Sequence, residues 1–181
     1  MARAFVAVRP PDEVLAAVGT AVARVRDGAG AARWTTSEQW HLTLQFLGNR
    51  VDLDAVAGAL GRLSSAGGDV RLGGGGAFPS ETRARVLWLG VVEGAELLAG
   101  LAGAVGALLA PVGYEPEDRP FHAHLTLARL NRAADVRPTV AAIGADPVGE
   151  RWRVGEIVLY ESVTRREGAT YRAHARFPLG V

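Results

Sequence analysis

The sequence predicts an α+β fold of two lobes related by internal duplication, with mostly antiparallel sheets lining a central cleft and helices outside. Three observations carry this. The tetrapeptide His-Leu-Thr-Leu occurs at residues 41–44 and again 83 positions later, at 124–127. The order strand, helix, motif strand, helix, strand can be read twice. Apolar residues recur at helical spacing in the segments between the strands. No linker rich in Pro, Gly or Ser divides the chain. Residues 1–181 are therefore expected to form one domain, with pseudo-repeats of approximately 1–80 and 81–181.

Ala4 to Val8 is short and apolar and stops at Pro10–Pro11, which suits a strand. Asp12 to Val25 places Val14, Leu15, Val18, Val22 and Val25 at helical steps, with the prolines just ahead, where a helix start tolerates them. Trp34 to Glu38 reads as a polar connector. Trp40 to Phe46 alternates as a strand, and Gly48–Asn49 reads as a turn. Leu53 to Leu63 has one apolar face and is expected to be helical, and Val70 to Leu72 is a strand candidate. Gly73 to Gly76 lacks the lysine and hydroxyl residue that would follow in a phosphate loop, and reads as a flexible loop or a bulge.

The order then begins again. Ala84 to Val91 is a strand, Ala95 to Leu109 a helix, Tyr114 to Pro120 a connector and Phe121 to Ala128 the second motif strand. Val136 to Ile143 is a short helix. Arg151 to Glu161 reads as one strand, Thr164 to Thr170 as a turn and Tyr171 to Phe177 as a closing strand.

Composition narrows the function. Hydrophobic residues make up 49% and charged residues 22%, as in a soluble globular domain. The absence of cysteine excludes disulfides and thiolate metal sites and suits a reducing compartment, so a cytoplasmic location is expected. The net charge of +1 advertises no polyanion partner. All 20 basic residues are arginine, a bias that G+C-rich coding would produce; any anion site must then use guanidinium, which grips phosphate bidentately. The uncharged run Leu97 to Val112 is too short for a membrane span. Its glycines 100, 103 and 106 suggest a buried helix packed closely on a sheet. No membrane association is expected.

Alternation places His41 and Thr43 on one face of a strand and Leu42 and Leu44 on the other; His124 and Thr126 repeat the pattern. Burying two imidazoles and two hydroxyls without partners costs several kcal/mol, roughly. A shared wet cleft avoids that cost. Imidazole changes charge near neutral pH, so one ring can take a proton while the other gives one. The threonine hydroxyls can donate to phosphate oxygens. A metal is the competing use of histidine, with His122, His174, Glu115, Glu117 and Asp118 as further donors. Catalytic zinc wants three protein ligands, and neither motif supplies them. No metal or cofactor is expected.

Two His-x-Thr-x motifs in a chain of this length resemble the two-histidine phosphoesterase superfamily. Within it, the blocks Trp40 to Gly48, Val86 to Gly90, Phe121 to Arg129 and Leu159 to Ser162 are most similar to the RNA 2′,3′-cyclic phosphodiesterases, also described as 2′-5′ RNA ligases. The resemblance runs nearly end to end. It implies metal-independent hydrolysis of a terminal 2′,3′-cyclic phosphate to a 2′-phosphate. It implies His41 and His124 as the acid–base pair and Thr43, Thr126 and Arg129 as phosphate-binding residues. It departs from the family pattern at Ala123, where proline is common, and at His122, where arginine is common. Strand parity would aim Arg129 away from the cleft, so the strand must bend or end near Ala128. Partners are expected to be RNA ends or cyclic nucleotides bearing the cyclic phosphate, bound by a monomer. The favoured assignment is His41 as acid and His124 as base. End joining to a 2′-5′ linkage and non-catalytic binding of RNA ends stay open. A basic stripe of Arg83, Arg85 and Arg129 with Phe78, Trp40 and Tyr114 would favour binding.

Overall fold

A computed structural model of the chain describes residues 2–30, 32–165 and 168–181. In chain order the elements are β1 (Ala2–Val8), α1 (Asp12–Val25), β2 (Ala32–Trp34), β3 (Leu42–Val51), α2 (Leu53–Leu60), β4 (Gly68–Phe78), β5 (Ala84–Glu93), α3 (Ala95–Leu109), β6 (Leu125–Ala134), α4 (Arg137–Ile143), β7 (Val148–Val154), β8 (Glu156–Arg165) and β9 (Gly168–Pro178). α1 starts where the Pro11 carbonyl accepts from the Val14 and Leu15 amides. α2 is capped by Asp52, whose carboxylate accepts from the Ala55 amide at 3.1 Å.

The strands form one sheet in the order β7-β4-β5-β6-β3-β1-β8-β9, with every neighbouring pair antiparallel and β2 added beside β6. Its two halves meet at a single pairing, Leu42 with Leu125. Reading outward from this seam, β6 matches β3, β5 matches β1, β4 matches β8 and β7 matches β9. That is the pseudo-twofold of the α+β duplication. Sheet membership crosses residue 80, however. The link after β4 is five residues long and folds it back onto β5 as a hairpin, while β8 lies along β1. The division near residue 80 is one of repeat order, not of space.

Alternation decides the two faces. Ala4, Val6 and Val8 of β1 join the main core with the buried faces of α1, α2 and α3 and Ile143 of α4. Phe5 and Ala7 turn to the opposite face, where they pack with Val158, Tyr160 and Tyr171. All four helices therefore cover one face, and the other is left for the cleft.

Several sequence expectations change. β3 runs on through Gly48–Asn49 to Val51, absorbing the expected turn as irregularities with positive φ at Gly48 and Arg50. The glycine run lies inside β4, with a register shift around Gly74, so it is a bulge and not a loop. A Cβ on Gly75 would sit 2.7 Å from the Val140 carbonyl oxygen of α4. The missing side chains let α4 lie directly on the strand. Arg151 to Glu161 is two strands parted at Gly155: β7 forms one edge of the sheet, and β8 lies next to the opposite edge strand, β9. Residues 166–167 of the expected Thr164–Thr170 turn lie outside the described residues; the hairpin pairing flanks them from Arg165 and Gly168.

With its short 3-10 extension, α3 covers Ala95–Val112 and is long and apolar enough to cross a membrane by length and composition alone. Leu98, Leu101, Val105 and Leu109 are buried in the shared core, as in the core helix of a globular fold. Its glycines do not all serve close packing. Gly106 approaches Pro116, but Gly100 and Gly103 face open space.

Candidate active site

The seam brings the two tetrapeptides together. Leu42 and Leu125 are direct partners, so His41 and His124 enter their strands at the same point from opposite directions. The antiparallel sense carries His41 toward Thr126 and His124 toward Thr43. Both leucines are buried on the helix side, which aims both His–Thr pairs at the cleft.

Each imidazole is held in the same way. His41 Nδ1–H donates to the Gln39 carbonyl at 2.7 Å, and His124 Nδ1–H donates to the His122 carbonyl at 2.8 Å. A carbonyl can only accept, so the proton of each neutral ring is on Nδ1 and the Nε2 lone pair is left free.

The walls differ. His41 stacks on Phe5 at a centroid distance of 4.5 Å and meets Tyr171 edge to face at 5.2 Å. Burial in this slot pushes its pKa down to about 4; the Gln39 carbonyl works the other way, and the charges of His124, Arg9 and Arg129 add to the depression. His124 is flanked by Phe78 at 5.1 Å and Trp88 at 6.1 Å, with His122 stacked alongside at 6.1 Å. Burial also lowers its pKa, against the His122 carbonyl, and His122, Arg119 and Arg129 push the same way as burial. Both rings are thereby held neutral near pH 7.

Arg129 reaches the cleft by a route that simple parity misses. Trp88 pairs with Thr126 and Leu87 with Ala128, so Leu127 is an extra residue in β6. This bulge puts Leu127 and Ala128 both on the helix side, in adjoining core clusters. The alternation is reset, and exposed Arg129 shares the face of His124 and Thr126. The first repeat carries the same bulge at Leu44, between the pairs Ala7–Thr43 and Val6–Gln45. There the corresponding position is Phe46, with Arg3 lying 4.9 Å above its ring.

The structure also brings in residues that the motifs did not single out. Thr35 Oγ1 donates to the Thr126 and Leu127 carbonyls at 2.9 and 2.8 Å and accepts from Trp40 Nε1 at 2.8 Å. It ties the approach to His41 to the bulge after Thr126. The expected polar connector at 34–38 thus opens with part of a strand, and its polarity hid that role. Phe5, Tyr160 and Tyr171 read as ordinary strand residues; only their parity relative to the core could have marked them. The expected basic–aromatic stripe does not assemble as one surface. Trp40 is buried and Tyr114 turns its hydroxyl to the Asp52 amide, while Phe78 is at the cleft.

Among the described residues no three His, Asp or Glu side chains converge as a metal site. His174 instead lies 3.6 Å from Asp54, beyond the cleft.

Two imidazoles with free Nε2 atoms, two hydroxyls and a guanidinium on one face of the sheet can transfer protons at a bound anion. The model of the 2′-5′ RNA ligase superfamily matches residues 5–166, and the chain belongs to that superfamily. It is 34% identical to the RNA 2′,3′-cyclic phosphodiesterase of Aeropyrum pernix over 162 residues, covering 83% of this chain and 90% of the relative. It is 35% identical to the RNA 2′,3′-cyclic phosphodiesterase of Thermus thermophilus, covering 98% and 90%. Escherichia coli LigT in its apo form superposes with a TM-score of 0.82 at 28% identity, covering 99% of this chain and 98% of LigT.

Proposed function

We propose that this protein is an RNA 2′,3′-cyclic phosphodiesterase that opens a terminal 2′,3′-cyclic phosphate to a 2′-phosphate. The chain acts as one domain, its repeats facing each other across a single site, with His41 and His124 as the acid–base pair. Thr43, Thr126 and Arg129 hold the phosphate, and no metal or cofactor takes part. The single observation that carries the reading is the matched tautomer lock, which presents two free Nε2 atoms to one cleft. The names of the relatives from Aeropyrum and Thermus support the same substrate. Both halves of the site come from one chain, which supports action as a monomer, and the lack of cysteine suits the cytoplasm.

One imidazole takes a proton from water as its oxygen attacks phosphorus. The bond from phosphorus to O3′ breaks, and the second imidazole gives its proton to O3′. The products are a 2′-phosphomonoester and a free 3′-hydroxyl. The hydroxyls and Arg129 offset charge on the non-bridging oxygens. Attack by a 5′-hydroxyl in place of water would join two ends, and the family description supports that second reaction at the same site.

Phosphorus NMR of 2′,3′-cyclic AMP incubated with the protein in EDTA tests the proposal. A single 2′-monophosphate product is expected, with turnover lowered at least about a hundredfold in His41→Ala and in His124→Ala. Full activity in either variant would end it, and saturable binding without any product would leave only an RNA-end binding module.

A further inference from the structure

Beyond the seam the two half-sheets part, and the edge of β6 that β3 leaves free is taken up by β2. This strand has three residues. Ala32 and Trp34 pack toward the core beside Ala128 and Leu130. Arg33 between them therefore faces the cleft, and its partner across the ladder is Arg129. Like charges placed directly opposite repel. Arg71, Arg137, Arg151, Arg172 and Arg176 pair with carboxylates. Among the described residues neither Arg33 nor Arg129 has such a partner, and both are exposed. The pair is also held firmly. The Thr35 amide donates to the Leu127 carbonyl at 2.9 Å, and the Thr35 hydroxyl grips the same bulge, so β2 cannot drift away to relieve the repulsion.

We infer that Arg33 extends the phosphate site outward from Arg129: Arg129 keeps the cyclic phosphate, and Arg33 forms a second subsite for the phosphodiester on the 5′ side of the nucleotide that carries it. The inference rests on the cyclic phosphodiesterase reading and deepens it: the preferred substrate is an RNA strand, not a free cyclic mononucleotide. Arg129 is the inner member, since its charge acts on both His41 and His124. Arg33 lies one strand farther out, where a second phosphate would follow along the sheet. Two successive phosphates, one on each guanidinium, turn the repulsion into two charge-assisted contacts.

The test compares kcat/KM for ApA ending in a 2′,3′-cyclic phosphate with that for adenosine 2′,3′-cyclic phosphate. The wild-type protein is expected to favour the dinucleotide, and Arg33→Gln to lower that preference about tenfold, the scale of one charge-assisted contact. Raising salt should weaken dinucleotide turnover with a log–log slope shallower by about 0.7 in Arg33→Gln, the value for one phosphate contact on a single strand. Arg33→Lys should keep the wild-type slope. Equal losses on both substrates, or a preference unchanged by Arg33→Gln, overturn the inference while leaving the cyclic phosphodiesterase reading in place. Wild-type protein inert on both substrates would overturn that reading, and the inference with it.

Discussion

One hydrogen bond decides what each motif imidazole can offer. With Nδ1–H spent on a backbone carbonyl two residues back, the ring exposes Nε2 alone, as acceptor when neutral and donor when charged. The two rings are not equivalent. His41 lies in the aromatic slot of Phe5 and Tyr171, with its pKa pushed down to about 4. Both rings are shifted in the same direction, so burial does not divide the roles, and His41 as acid with His124 as base stays the proposal. A substrate with sulfur in place of the 3′ oxygen separates the roles, because a thiolate leaves without an acid. Such a substrate is expected to restore most of the rate lost in His41→Ala and little of that lost in His124→Ala. Rescue of His124→Ala alone would give the acid role to His124.

At the level of the element, the legible parts of the fold were those whose pattern is local. Asp12–Val25 and Ala95–Leu109 repeat at helical steps and were found with their boundaries. β2 was not found, because three residues show no period and this strand exists only through Thr35 and its pairing with β6. The glycine run left loop and bulge open for the opposite reason: its strand character depends on Trp88 and α4 lying where side chains would otherwise be. Gly76→Ala would place a Cβ 2.1 Å from the Trp88 ring, whereas the Cβ of Gly100→Ala meets nothing. Gly76→Ala is therefore expected to cost about 1–3 kcal/mol. Gly100→Ala, on an exposed helix face, is expected to gain up to about 1 kcal/mol. Denaturation midpoints check both, and equal shifts would contradict the packing of β4 against Trp88. Thr35→Val removes the link between Trp40 and the bulge and is expected to cost about 1–3 kcal/mol, with Thr35→Ser close to wild type. In the site, the His–Thr pairs were legible because their spacing is two. Arg129 needed a bulge that only the pairing of β5 with β6 reveals.

For the whole molecule, the neutral imidazoles tie folding to pH. An unfolded chain protonates His41 near its ordinary value of 6.5, and the folded chain does so only near 4. Between those values the unfolded state holds the extra proton, so stability falls as pH drops through this window and levels off below it. His124 is shifted in the same direction and steepens the fall. The His41 contribution is at most about 3 kcal/mol, from about 1.4 kcal/mol per pH unit. The hydrogen bonds of Thr36 and Arg137 hold Glu38 and Asp135 below their ordinary values, and that stabilisation is lost only as pH falls from the ordinary carboxylate value downward. Urea denaturation midpoints are thus expected to decline between pH 7 and 5, before the carboxylates titrate. His41→Phe should flatten that decline. Inorganic phosphate should reduce it as well, because an anion in the cleft favours the charged ring and binds only the folded state. A wild-type profile that is level from pH 7 to 5 would mean that the imidazoles are not held neutral by the fold. Recharging by substrate would then have no part in the mechanism.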